Sequence, residues 1–188
     1  MKRLVLLVFV LFLSACGSNP PAPVDRYYRL QPTLSPAAAP LPGVVLMPIR
    51  AESLYAERPL VYTEEASPRQ LRQYHYHLWL YPPAQLVQEQ LAAALGLGDA
   101  ANGRGQSPLR VEGRIVRFDR VLAGRSGKAV VAVELRLARG EQVLSKKVYT
   151  AEQAAAADTI DAHIEAVERA LARVSTEFQA DLRRALQS

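Results

Sequence analysis

Residues 128–139 read KAVVAVELRLAR. Val131, Val133, Leu135 and Leu137 occupy every second position, with Glu134 and Arg136 between them. Successive side chains of a strand point to opposite faces, so this alternation predicts a β-strand with one covered face and one wetter face. Arg139-Gly140-Glu141 then reads as the turn of a hairpin. Gln142 to Thr150 is the returning strand, and Leu109 to Phe118 supplies a third strand before it.

The pattern changes period on either side of this meander. Downstream, Ile160, Ile164, Val167, Leu171, Val174, Phe178, Leu182 and Leu186 (or Ala185) recur at helical spacing, with Glu165, Glu168, Arg169, Arg173 and Glu177 on other faces. Asp158 or Thr159 is placed to cap this helix. Its length is about 28 residues, or roughly 40 Å. Packing across the sheet is the simplest use of its apolar stripe, with a surface or partner role for its C-terminal half as the alternative. Upstream, Pro82-Pro83 opens a helix, Leu86 or Val87 with Leu91 and Leu95 forms its stripe, and Gly96 and Gly98 stop it. Gly98 to Pro108 is a loop.

Four short strands precede that helix: Tyr27–Leu30, Val44–Ile49 with Pro48 near its end, Leu60–Thr63, and the aromatic Gln73–Leu80. The order is β-β-β-β-α-β-β-β-α. The fold class is α+β: a mostly antiparallel sheet with two helices packed on one face. Seven of the thirteen prolines lie between Pro20 and Pro42. Gly17–Val24 therefore reads as an extended stalk of about 25 Å, and Pro32–Gly43 as a second loop.

The N-terminus carries its own signal. Lys2 and Arg3 precede an unbroken apolar run, Leu4 to Leu13. Ten residues make about 15 Å of helix against a bilayer core of roughly 30 Å, which suits a secretory signal and not a span. The run ends in Leu13-Ser14-Ala15-Cys16, which resembles the lipobox of bacterial lipoproteins. That resemblance implies cleavage between Ala15 and Cys16 and lipid on the Cys16 thiol. Cys16 is the single cysteine, so the mature chain forms no internal disulfide. The expected organisation is a signal peptide over 1–15, the lipidated cysteine and stalk over 16–26, and one periplasmic domain over 27–188.

Cleavage removes Lys2 and Arg3, so the 23 basic residues fall to 21 against 18 acidic ones, a net charge of +3. That is too mild to point to nucleic acid, and no basic stripe interleaved with aromatics is present. Catalytic chemistry is equally thin. His75 and His77 stand two apart on a strand and could share one metal ion, but a third ligand is wanting, with His163 on the distant final helix and Glu64, Glu65 or Asp119 near only by accident of folding. The plainer reading puts both histidines on the solvent or partner side, with Tyr74, Tyr76 and Leu78 facing inward. Ser67, Ser126 and Ser145 lack a nucleophile-elbow context, and Gly103-Arg104-Gly105 has neither a Walker lysine nor a preceding strand. Glu64-Glu65 reads as a solvated turn. The expectation is a non-enzyme with no metal and no cofactor.

The mature chain as a whole resembles the ABC-type transport auxiliary lipoproteins, the paraquat-inducible protein C-like group. The resemblance is carried by Cys16, by Tyr27-Tyr28-Arg29-Leu30, by Val44–Pro48 followed by Leu54-Tyr55 and Arg58-Pro59-Leu60-Val61-Tyr62, and by Tyr76-x-x-Trp79 ahead of the first helix. Tyr81 stands where that group usually has an acidic residue, and Ala56-Glu57 where an aspartate is common. The resemblance implies a non-catalytic partner of an ABC permease, its ATPase and a mammalian-cell-entry type protein that together move lipid between membranes. Gly17 is not the aspartate that commonly retains lipoproteins at the inner membrane, so the outer membrane is the expected address. Trp79, with Arg58, His75 and His77, makes an aromatic and cationic set typical of interfaces, with a core position as the other reading of Trp79. Unpaired strands offer a further route to a partner or to a second copy of this chain. A regulatory or scaffold lipoprotein for cell-wall synthesis is the alternative function.

Overall fold

The computed structural model describes residues 22–31, 41, 43–97, 108–124 and 126–187. The signal segment, Cys16, the first part of the stalk, most of the Pro32–Gly43 loop and nearly all of the Gly98–Pro108 loop lie outside them. The elements run β1 (Arg26–Tyr28), β2 (Val44–Leu46), a 3-10 turn (Ser53–Ala56), β3 (Pro59–Glu64), β4 (Ser67–Trp79), α1 (Pro83–Leu95), β5 (Leu109–Ala123), β6 (Ser126–Arg139), β7 (Gln142–Ala154) and α2 (Ile160–Gln187). This is an α+β fold, one sheet with two helices packed against it.

The sheet order is β1-β4-β3-β5-β6-β7, with β2 also on β5. The pairs β3–β4, β5–β6 and β6–β7 are antiparallel. The pairs β1–β4, β2–β5 and β3–β5 are parallel, so the sheet is mixed. β2 pairs with the start of β5 (Val44 opposite Leu109) and β3 with its end (Val61 opposite Asp119). The two strands thus lie end to end along β5; Met47 and Arg50 still bond to it, through the Val111 and Gly113 carbonyls at 2.8 and 2.9 Å, and residues 51–58 leave the sheet between them. Pro48, which lacks an N–H, falls just past β2 where the ladder breaks.

The meander predicted around residues 128–139 is present, and its strands run further than the alternation indicated. β5 continues five residues past Phe118, and β7 four past Thr150. The run Asp119-Arg120 looks like a strand end in sequence, but both side chains are buried and paired, so the ladder carries on. A bulge between Ile115 and Arg117 sets Ile115 opposite Val133 and Phe118 opposite Val131, so both point into the core. The hairpin turn at Gly140 has φ +58°, a conformation in which glycine is at ease.

The core lies between the sheet and the helices. Val131, Val133, Leu135 and Leu137 meet Val167, Leu171, Val174, Phe178 and Leu182 of α2 and Leu86, Val87, Leu91 and Leu95 of α1. Burying each of these side chains is worth about 1.5–3 kcal/mol. The apolar stripe of α2 runs to Ala185, which packs on the core, while Leu186 is exposed. Thr159 is the cap: its Oγ1 accepts the Ala162 N–H at 3.2 Å. α1 ends at Gly96, with φ +67° and Leu97 N–H returning to the Ala92 carbonyl at 2.9 Å.

Candidate interaction surface

The residues singled out from sequence come together at the β1–β4 margin, with different roles from those expected. Trp79 is 2% exposed and packs on Phe118 with ring centroids 5.3 Å apart. It closes the core and presents no surface. Arg58 stays at the margin. Its Nε donates to the Trp79 carbonyl at 3.0 Å, and its guanidinium lies 4.9 Å from the Tyr27 ring centre.

The two histidines do not share a face. Pro59 is opposite Leu78 but Val61 is opposite Gln73, so five steps along β4 face two along β3, and strict alternation is lost over residues 74–77. His77 turns to the helix side, where its Nδ1 is 2.8 Å from the Tyr28 hydroxyl and Tyr74 meets it edge-on at 5.5 Å. His75 and Tyr76 are exposed. Of the expected inward set, Tyr74 packs against the core, whereas Tyr76 is exposed and Leu78 is half-buried. Partial burial, helped by Arg26 and Arg120, holds His77 below the usual imidazole range, with Asp161 opposing. Among the described residues, no three His, Cys, Asp or Glu side chains gather as a metal site.

Behind this margin lies a polar core that the sequence reading missed. Arg120, 4% exposed, donates Nη1 to the Tyr74 hydroxyl at 3.0 Å and Nη2 to Asp158, just before the α2 cap. His163, on the first turn of α2, is buried beside it. Burial first, then the Arg120 charge, lowers its pKa to about 3. Its Nδ1 is buried without a hydrogen-bond partner. Nothing in the sequence set Arg120 apart, since charged residues recur along β5 (Arg110, Glu112, Arg114, Arg117 and Asp119).

A second cluster sits where the 3-10 turn, through Tyr55, meets β5. Arg117 grips Asp119 with two bonds, Nε at 3.1 Å and Nη2 at 2.7 Å, and the Tyr55 hydroxyl donates to Asp119 at 3.0 Å. Burial and then the Asp119 charge push the Tyr55 hydroxyl pKa up. These groups satisfy one another and leave no acid or base free to work on a substrate. At the other margin, β7 pairs with β6 and exposes Val143, Leu144 and Val148. Lys147, held by Glu177 and Asp181, and a groove lined by Thr150, Ala151, Ala172, Arg173, Thr176 and Glu177 flank that strand.

Solved structures share this architecture. The Xanthomonas campestris protein XCC0632, described as family DUF330, superposes with a TM-score of 0.70 at 17% identity, covering 87% of this chain and all of its own. A second structure, titled only as an uncharacterized protein, gives 0.67 at 18% identity, covering 85% of this chain and 99% of its own. At such identities the likeness shows the fold alone. No curated protein matches the chain by sequence. The model of the ABC-type transport auxiliary lipoprotein component matches residues 28–178, from the last residue of β1 to Phe178 in the second half of α2. Because the match spans the sheet and both helices, the chain belongs to the family of ABC-type transport auxiliary lipoproteins.

Proposed function

We propose that this chain is the non-catalytic accessory lipoprotein of an intermembrane lipid-transport system built on an ABC permease, its ATPase and a mammalian-cell-entry type protein. The observation that carries the reading is the family match over residues 28–178. The Arg117–Asp119–Tyr55 cluster fits it, since its groups are spent on pairing with one another.

In this reading the signal peptide is cleaved after Ala15 and Cys16 carries the lipid. The stalk spaces the domain from the bilayer, and Gly17 directs it to the outer membrane with its face to the periplasm. The domain then docks the periplasmic part of the entry-type protein. Exposed strand margins, β7 above all, suit that contact or contact with a second copy of the chain.

The test is mild crosslinking in cells, purification of the lipidated protein from membranes, and mass spectrometry of what accompanies it. Recovery of an entry-type protein with its permease and ATPase is the expected result. Recovery of a peptidoglycan synthase in their place overturns the reading in favour of a cell-wall scaffold.

A further inference from the structure

On the face of the sheet away from the helices, β1 and the end of β4 carry a small apolar stripe. Tyr28 and Trp79, directly paired, turn toward the core. The neighbouring pair, Tyr27 and Leu78, therefore turns the other way. Leu80 stands two residues past Leu78, and its N–H continues the ladder to the Tyr28 carbonyl at 2.6 Å; Tyr76, in the irregular stretch just before, is exposed as well. Tyr27 is 52% exposed, Tyr76 44% and Leu80 39%. Arg58 lies over the Tyr27 ring, and Asp25 accepts a bond from the Tyr27 hydroxyl at 3.3 Å.

We propose that Tyr27, Tyr76 and Leu80, with Arg58, seat this corner of the domain on the headgroup region of the membrane that holds the Cys16 lipid. The proposal deepens the lipoprotein reading above and rests on it. Its first ground is reach. Only seven residues, 17–23, separate Cys16 from Val24. Extended at about 3.1 Å each they span about 22 Å, so this corner cannot leave the vicinity of the bilayer surface. A tethered surface meets its partner at high effective concentration, so a weak patch suffices.

The second ground is chemistry. Tyrosine, with an apolar ring and a polar tip, favours the membrane–water boundary. Arg58, its guanidinium stacked on the Tyr27 ring, brings a planar cation suited to pairing lipid phosphates to the same corner. The consequence is orientation. With β1 seated, β7 stands five strand spacings away, about 24 Å, with Val143, Leu144 and Val148 turned toward the periplasm.

The test uses the full lipidated chain in vesicles of phosphatidylethanolamine and phosphatidylglycerol containing a nitroxide-labelled lipid. Because Cys16 is the single cysteine and its thiol bears lipid, Leu80→Cys and Val143→Cys each introduce one reactive thiol for an environment-sensitive fluorophore. Quenching several-fold stronger at position 80 than at 143, and reduced there by the double change Tyr27→Ser with Tyr76→Ser, is the expected result. Equal quenching at the two positions, or none at either, overturns the seat, while vesicle flotation and an acyl mass on Cys16 leave the anchor standing. Loss of flotation together with an unmodified Cys16 overturns the anchor, and the seat with it.

Discussion

The Tyr55 hydroxyl donates to Oδ1 of Asp119 at 3.0 Å, and this bond ties the 3-10 turn between β2 and β3 to the second half of β5. The Asp119 side chain is fully buried, and Arg117 answers its charge. Asp119→Ala strips both partners of their acceptor. The expected loss is about 2–4 kcal/mol, and Asp119→Asn, which keeps an acceptor for Tyr55, loses less. Thermal or urea unfolding checks this. Equal stability of wild type and Asp119→Ala would show the cluster to be inert.

His163 sets a pH dependence of definite sign. Its folded pKa of about 3 lies below the ordinary 6.5, so between those values the unfolded chain binds more protons than the folded one. Stability from this group is intact above pH 6.5 and declines on acidification, by about 2 kcal/mol at pH 5, until the folded histidine also titrates near pH 3. Asp181, held below the usual carboxylate range by Tyr149, adds loss in the same direction at lower pH. His163→Leu also removes the unpartnered Nδ1 and is expected to unfold later than wild type at pH 5. A stability profile of the variant that still falls steeply between pH 6.5 and 5 would assign the dependence elsewhere.

Trp79 is the single tryptophan, and it is sealed beneath α1 against Phe118. Its emission is expected to be blue-shifted and unchanged when the protein meets membrane or partner. Trp79→Ala is expected to cost about 3–5 kcal/mol, whereas the exposed Tyr27→Ala stays within about 1 kcal/mol. A red-shifted native spectrum would contradict the packing.

Cys16→Ser removes the only thiol. In cells the variant is expected to keep residues 1–15 and to lack any acyl mass, and intact-protein mass spectrometry distinguishes the two forms. Normal processing of the serine variant would dismiss the lipobox.

Legibility followed periodicity. The three-strand meander and both helices announced themselves because each has one apolar face over many residues, as in Val131 to Leu137 and Ile164 to Leu182. Neighbour relations did not. Nothing within Val44–Leu46 or Pro59–Glu64 says that both strands will pair with β5 in parallel, since a strand's own alternation carries no record of its neighbour. The length of β4 was hidden by its exposed first half, Ser67 to Arg72, which has no buried face to mark it. The candidate surface was half legible: Arg58 and the aromatics around it were found. Which aromatics face outward turned on an irregularity in β4, and shifting a strand by one residue exchanges its two faces. Trp79 is buried and its neighbour Leu80 exposed by ordinary alternation, past the irregular stretch.

The parallel pairing of β1 with β4 has a mechanical meaning. The chain reaches the body of the domain through three residues, Arg26 to Tyr28, laid alongside His77 to Trp79 in the same direction. Tension along the strand axis from the membrane side loads all of those hydrogen bonds together, in shear, and does not peel them one after another. The Tyr28–His77 bond at 2.8 Å and the bond from the Gln31 N–H to Glu168 at 2.6 Å brace the same segment against the sheet and α2. In the proposed tethered lipoprotein, drag on a docked partner would therefore be borne at this corner by bonds that must fail as a group, the short strand serving as a strain-bearing joint between anchor and domain.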